Sequence, residues 1–160
     1  MGKSVLFVCF GNVCRSTMAE AIFLNLISKR GEQDSWTVDS AGHGDWHLGK
    51  TPSLGTLKLL EEKEGITDYT HRARLITDED FFKFDYILCM DDYNLENLKL
   101  LQPVNSKVNI HILSEFDPAG DSCIFDPYFS DSIEAYRQVY AQCSRCCQSF
   151  LQHVLSLQSS

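Results

Sequence analysis

This 160-residue sequence lacks several features, and each absence argues against a class of protein. No apolar run approaches the roughly 20 residues of a membrane-spanning helix, so no stable membrane association is expected. Repeats, low-complexity tracts and linkers are missing, which predicts a single domain over residues 1–160. Basic residues are scarce, with 14 Lys and Arg against 22 Asp and Glu. The net charge of −8 argues against a nucleic acid partner, because phosphate backbones select basic surfaces.

The cysteine content indicates a reducing compartment. Seven cysteines are an odd number, and the short apolar run at residues 5–9 is not a signal peptide. We therefore expect free thiols and a cytoplasmic protein. A heptad pattern or interface stripe is also missing, so a monomer is expected.

Strands and helices alternate along the chain. Short apolar and β-branched segments predict strands at residues 4–9, 36–39, 85–90 and 108–112. Helical patterns lie at residues 18–30, 52–64, 80–82, 95–101 and from 133 onward. Thr17 and Glu20 fit a capping box at the start of the first helix. The alternation predicts an α/β fold, a doubly wound parallel sheet with helices on both faces, whose ligand site lies beyond the carboxyl ends of the strands.

The segment from Cys9 to Thr17 joins the first strand to the first helix. A loop in this position points backbone N–H groups inward and forms a nest for a tetrahedral oxyanion. Gly11 and Asn12 are expected to supply the positive φ values of such a curve. The same field favours a thiolate, which makes Cys9 a candidate nucleophile. Arg15 follows after five residues, and its planar guanidinium can hold two phosphate oxygens.

A carboxyl group that could protonate the leaving oxygen is offered by Asp126. It lies between the last strand and the last helix, and Pro127 favours an extended conformation for it. We expect Asp126 to act as a general acid and then as a general base toward water. An isolated Asp-Pro pair is more typical of a turn, but the loop at Cys9 reverses that preference.

These segments resemble those of the low-molecular-weight protein tyrosine phosphatases of animals. The run Cys9-Phe-Gly-Asn-Val-Cys-Arg-Ser16 is similar to their phosphate loop, and Asp126-Pro-Tyr128 is similar to their general-acid loop. Further similar stretches at residues 38–41, 84–91 and 139–150 extend the resemblance over nearly the whole chain. It implies a four-stranded sheet in flavodoxin-like order 2-1-3-4. It also implies hydrolysis of phosphotyrosine in proteins, and of small aryl phosphates, through a phosphocysteine, with no cofactor and no metal.

The resemblance also implies roles for individual residues. Cys9 would be the nucleophile, Arg15 the phosphate clamp, and Asp126 the acid and then the base. Ser16 would support the thiolate by a hydrogen bond, and Asn12 would brace the loop. Further phosphate-binding or loop-supporting residues would be Phe10, Gly11, Val13, Cys14, Ser40 and His71.

Aromatic residues are candidates for the walls of a slot that admits a planar ring. Trp46, Tyr128 and Phe129 would favour phosphotyrosine over phosphoserine, the alternative being ordinary partial burial. The sequence departs from the family pattern at Thr17, where proline is usual, and at Phe129, where a second tyrosine is common. We expect Thr17 to cap the helix and leave the loop slightly less rigid. Tyr128 would be the remaining candidate for regulatory phosphorylation.

The other cysteines leave alternatives open. Cys14 could form a reversible disulfide with Cys9, as the family suggests, or be a small packed thiol. The cysteines at positions 143, 146 and 147 lie on one apolar helical face, which favours a core position over a metal site.

Two other functions compete with phosphatase activity. An arsenate reductase of the same fold would need further cysteines to pass electrons, yet no cysteine follows Cys89 before Cys123. A catalytically idle phosphotyrosine-binding protein would be expected to lack the nucleophile or the acid. Because Cys9 and Asp126 are both present, turnover is the preferred interpretation.

Overall fold

The computed structural model describes residues 3–130 and 132–159. The strands within these ranges are β1 (Ser4–Cys9), β2 (Thr37–Gly42), β3 (Tyr86–Cys89) and β4 (Asn109–Ile112). The helices are α1 (Arg15–Lys29), α2 (Leu54–Glu64), α3 (Asp80–Lys83), α4 (Asp92–Leu101) and α5 (Ile133–Gln158). A 3-10 turn at Leu113–Phe116 follows β4. None of the described helices combines the length and the apolar character that crossing a membrane requires.

The four strands are parallel and lie in the order β2-β1-β3-β4, which confirms the predicted topology. Central strand β1 pairs with β2 from Ser4, opposite Thr37, to Cys9, opposite Gly42. This pairing carries β2 three residues beyond its predicted end. The chain leaves β1 for the edge strand β2 and then returns past β1 to β3, so the strand order reverses at β1. Ligands bind at such a reversal, and Cys9 lies there.

Helices pack on both faces of the sheet, as predicted. Successive side chains of β1 alternate between the faces: Val5 and Phe7 join a core cluster with residues of α1 and α5. Leu6 and Val8 join a second cluster with residues of α3 and α4. The first cluster contains the fully buried Cys143, Cys146 and Cys147, so their helical spacing correctly indicated core residues.

Helix α1 begins at Arg15, three residues earlier than predicted, and the predicted capping box is wrong. Cys14 is the N-cap residue, and its side chain caps no backbone N–H. The hydroxyl of Thr17 donates to the carbonyl oxygen of Cys14 over 3.0 Å, while Glu20 turns toward Ser40. Because the loop after β1 passes directly into the helix, no side chain occupies the first amides, and they remain available to an anion.

Candidate active site

The loop between β1 and α1 surrounds the thiol of Cys9, which is 3% exposed. The hydroxyl of Ser16 lies 3.1 Å from the sulfur, and the backbone N–H of Asn12 donates to the same sulfur over 3.3 Å. The positive end of the α1 dipole follows immediately at Arg15. The sulfur therefore faces a backbone hydrogen-bond donor and the N-terminus of a helix, an arrangement suited to an anion.

Asn12 braces this loop from a left-handed conformation with φ of 59°. Its Nδ2 donates to Ser16 Oγ over 2.8 Å and to Ser40 Oγ over 3.0 Å. Its Oδ1 accepts from the backbone N–H of Arg74 over 3.1 Å and lies 2.8 Å from Nε2 of His71. Ser40 and His71, which the sequence indicated as loop supports, therefore meet at Asn12.

Gly11 does not have the positive φ that was predicted for it; Asn12 alone turns the described part of the loop that way. The His47 side chain favours glycine at position 11 for a different reason. A Cβ atom there would lie 2.6 Å from Cδ2 of His47, which is closer than real Cβ atoms approach a neighbour. The buried His47 ring also packs on Tyr128, with centroids 4.7 Å apart. His47 was not predicted from the sequence, where its position beside Trp46 is its only signal.

Two further residues, which the sequence did not indicate as part of the site, connect to Asn12 through Ser40. The carboxylate of Glu20, buried on α1, accepts hydrogen bonds from Ser40 Oγ over 2.6 Å and from Tyr69 Oη over 2.7 Å. Burial raises the pKa of Glu20 to about 7, although these two donors partly oppose the shift. Position 69 lies 49 residues from position 20, so local sequence carried no signal for this contact.

The guanidinium of Arg15 is buried and is held by Asp91 and by the backbone at Ile124. Its Nη1 donates to Oδ2 of Asp91 over 2.6 Å and to the carbonyl oxygen of Ile124 over 2.9 Å. Its Nη2 lies 3.6 Å from Oδ2 of Asp126. Burial by itself lowers the pKa of Arg15, but Cys9 and the two carboxylates raise it above its ordinary value. Arg15 therefore stays charged, with one nitrogen toward the predicted acid.

Asp126 lies on a loop that is anchored at several points. The backbone N–H of Tyr128 donates to Oδ1 of Asp126 over 3.0 Å, which orients the carboxylate. The backbone N–H of Ile124 donates to the carbonyl oxygen of Met90 over 2.9 Å. Helix α5 contributes Gln142, whose Nε2 donates to the carbonyl oxygen of Cys123 over 2.8 Å.

One small cavity brings most of the predicted site residues together. Asp126 and Cys9 line it, and the predicted walls Trp46, Tyr128 and Phe129 surround it. The remaining lining residues are Phe10, Gly11, Val13, Cys14 and His47. The cavity is largely aromatic at its sides, and Asp126 is its one carboxylate among the described lining residues.

Cys14 is a hydrogen-bonded thiol in this structure. Its Sγ donates to Ser53 Oγ over 3.3 Å and lies 3.5 Å from the hydroxyl oxygen of Tyr136. Burial raises the pKa of Cys14 to about 11, so this sulfur is a poor nucleophile. Cys9 and Cys14 are both free and share one cavity.

Glu20, Asp39 and His71 offer ligand atoms within 4.8 Å of one another, a set of metal-binding type. Both carboxylates, however, already accept hydrogen bonds. Glu20 accepts from Ser40 and Tyr69, and Asp39 accepts from the guanidinium of Arg74 over 3.0 and 3.1 Å. The cluster is thus explained as an internal hydrogen-bond network.

Known proteins resemble this sequence over nearly its whole length. Residues 4–159 match the family model described as low molecular weight phosphotyrosine protein phosphatase. The protein of that name from Sus scrofa is 44% identical over 154 residues, covering 95% of this chain and 96% of its own length.

Solved structures agree as well. A Drosophila arginine phosphatase is 39% identical with a TM-score of 0.86, covering 94% of this chain and 96% of its own. A protein tyrosine phosphatase from Entamoeba histolytica is 26% identical with a TM-score of 0.89, covering 98% and 99%. The chain therefore belongs to the low molecular weight phosphotyrosine protein phosphatase family.

Proposed function

We propose that this protein hydrolyses phosphotyrosine in proteins through a phosphocysteine intermediate on Cys9. The observation that carries the proposal is the meeting of three groups. Cys9 and Asp126 line the same cavity, and Arg15 Nη2 lies 3.6 Å from the Asp126 carboxylate. Nucleophile, clamp and acid are thus within reach of one phosphate.

The first half-reaction transfers the phosphoryl group to sulfur. The Cys9 thiolate attacks phosphorus, and the bond between phosphorus and the phenolic oxygen breaks. Asp126 donates its proton to that oxygen, so the leaving group departs as a neutral phenol. Arg15 and the loop amides hold the equatorial oxygens, where negative charge concentrates in the transition state.

The second half-reaction releases phosphate. Asp126, now a carboxylate, takes a proton from water as the water oxygen attacks phosphorus, and the bond between sulfur and phosphorus breaks. Ser16, 3.1 Å from the sulfur, stabilises the departing thiolate. Asn12 keeps the hydroxyl of Ser16 in place through its 2.8 Å hydrogen bond.

The aromatic residues that line the cavity favour an aryl phosphate as the substrate. Trp46, Tyr128 and Phe129 present aromatic surface, and the described lining holds no carboxylate besides Asp126 to pair with a guanidinium. This favours phosphotyrosine over the kind of substrate that the name of the Drosophila arginine phosphatase implies. Arsenate reduction is less well supported, because Cys14, the second thiol in the cavity, is hydrogen-bonded and its pKa is raised to about 11.

We also propose that residues 1–160 form one domain, acting as a cytoplasmic monomer. One chain supplies every described wall of the cavity, and the seven cysteines are free thiols. A redox-sensitive Cys9–Cys14 pair and phosphorylation of Tyr128 remain part of this proposal, since all three residues line the cavity. Gel filtration would test the oligomeric state, and mass spectrometry after peroxide treatment would test the disulfide.

The decisive experiment measures p-nitrophenyl phosphate hydrolysis in EDTA. Cys9→Ser should abolish turnover, and Arg15→Ala and Asp126→Ala should lower it by about a hundredfold or more. Cys123→Ser removes an exposed thiol and is the matched control, with activity retained. Quenched wild-type enzyme should carry phosphate on Cys9. Normal turnover by Cys9→Ser would refute the mechanism, and reduction of arsenate without phosphatase activity would establish the rival.

A further inference from the structure

A second aromatic surface adjoins the catalytic slot. The ring of Phe10 contacts those of Trp46, His43 and Tyr93, at centroid distances of 5.4, 5.2 and 6.2 Å. His43 and Tyr93 also contact each other at 5.4 Å. Trp46 is 65% exposed and Tyr93 is 57% exposed. These four rings, here called the aromatic shelf, therefore present aromatic surface to solvent, chiefly through Trp46 and Tyr93.

The shelf is held in place from beneath. Nδ2 of the buried Asn94 lies 2.8 Å from Nε2 of His43, and Oδ1 of Asn94 accepts from the backbone N–H of Met90 over 3.1 Å. The ring of Phe10 covers Gly44 so closely that a Cβ there would lie 2.4 Å from it. Rings fixed in this way lose little conformational freedom when they bind a partner, which favours a recognition surface.

Two residues make the shelf continuous with the slot. Phe10 and Trp46 belong to the shelf and also line the cavity over Cys9. A peptide whose phosphotyrosine occupies the cavity can leave it beside these rings. An extended chain advances roughly 3.3 Å per residue, so side chains one to about three positions away reach Phe10 or Tyr93.

Exposed acidic residues adjoin the shelf residues in the sequence. Asp45 precedes Trp46 and Asp92 precedes Tyr93, and both are exposed. Glu96 follows Asp92 by one helical turn on α4 and is also exposed. The exposed Lys50 lies toward His47, on the slot side. Aromatic faces with carboxylates around them attract a cationic side chain, and the net charge of −8 adds to this attraction.

We infer that the aromatic shelf binds a Lys or Arg side chain located within about three residues of the phosphotyrosine. This inference rests on the proposed function, because the phosphotyrosine must first occupy the slot. The cationic head lies over the faces of Trp46 and Tyr93, and Asp45 and Asp92 complement its charge. The shelf thereby selects phosphotyrosine sites with basic flanks.

The test compares phosphotyrosine peptides that differ only at flanking positions, with Arg, Leu or Glu on both sides. The kcat/KM of the Arg peptide should exceed that of the Glu peptide by about tenfold, and salt should reduce the difference. Tyr93→Ala and Asp92→Asn should each reduce the preference by several-fold while leaving p-nitrophenyl phosphate turnover unchanged. Phe82→Ala and Asp34→Asn are the matched controls, because they change an exposed ring and an exposed carboxylate outside the shelf. Both variants should keep the preference for the Arg peptide.

The outcomes separate this inference from the proposed function. Equal rates for the three peptides, or a faster Leu or Glu peptide, overturn the inference while p-nitrophenyl phosphate hydrolysis leaves the phosphatase assignment intact. If no substrate is hydrolysed, the proposed function fails. In that case, calorimetry measures how tightly the Cys9→Ser variant binds the same peptides. Tighter binding of the Arg peptide supports the inference about the shelf, and equal binding refutes it.

Discussion

The hydroxyl of Ser40 donates a 2.6 Å hydrogen bond to the carboxylate of Glu20. This bond is one end of a buried hydrogen-bond network that reaches Cys9. Ser40 contacts Asn12, Asn12 holds Ser16, and Ser16 lies 3.1 Å from the Cys9 sulfur. The loop around Cys9 is therefore braced through a carboxylate of α1 that does not line the cavity.

Removing the Tyr69 hydroxyl, the other donor to Glu20, should weaken this hydrogen-bond network. Tyr69→Phe deletes the 2.7 Å hydrogen bond, which should cost about 1–2 kcal/mol of unfolding free energy. We expect kcat toward an aryl phosphate to fall roughly fivefold with little change in KM, because the loop shifts while the walls stay. Urea denaturation and steady-state kinetics measure both quantities. Tyr140→Phe, whose hydroxyl interacts with Glu64, is the control, and equal kcat values for the two variants would contradict the prediction.

The raised pKa of Glu20 predicts how stability changes with pH. Because its pKa is about 7 in the folded protein and roughly 4.3 in an unfolded chain, the folded state retains a proton that the unfolded state has lost. The contribution is full below about pH 4.3 and is lost as the pH rises through 7. Burial lowers the pKa of His71, which keeps this neighbour neutral near pH 7.

Glu20→Gln removes this titration. Between pH 5 and 8 the wild type should lose stability relative to the variant, by on the order of 3 kcal/mol. Urea denaturation at intervals of pH measures the difference, and Glu61→Gln at an exposed position of α2 is the control. Parallel pH profiles for wild type and Glu20→Gln would show that the carboxylate is not protonated in the folded protein.

Sequence patterns anticipated the parts of the molecule whose causes are local. Strand β1 was predicted because a strand that is buried on both faces consists of a short apolar, β-branched run. Asp126 was predicted because it follows the last strand in a sequence that also carries the loop at Cys9. The start of α1 was misplaced because Thr17 has the residue type of a cap, although the loop leaves those amides open. Tyr69 was missed because its contact joins distant segments of the chain. Spacing along the sequence carries no information about such contacts.

The contact between Gly11 and His47 predicts a loss of activity that a second change should reverse. Gly11→Ala places a methyl group 2.6 Å from Cδ2 of His47, and the displaced loop should lower kcat at least roughly tenfold. The backbone of Gly11 is not left-handed, so alanine should be tolerated once the ring is removed. Adding His47→Ala should restore most of the lost activity. Adding His111→Ala, on the distant strand β4, should restore none, and equal rescue by both would rule out a steric cause.

Helix α5 anchors the segment that leads to Asp126. Asp117 begins the segment that carries Asp126, and Arg145 of α5 holds it with two hydrogen bonds of 3.1 Å. Arg145→Met should free this end of the loop and displace the carboxylate of Asp126. Since a general acid matters most when the leaving group is poor, kcat should fall more for phenyl phosphate than for p-nitrophenyl phosphate.

A fall of roughly fivefold for phenyl phosphate is expected, with a smaller change for p-nitrophenyl phosphate. Arg137→Met is the matched control, because Arg137 lies on the same helix and forms ion pairs with Glu62 and Glu134 instead. If Arg145→Met slowed both substrates equally, the loss would come from general destabilisation. A loss that depends on the leaving group locates the effect at Asp126, because that residue alone supplies the departing proton in the proposed mechanism.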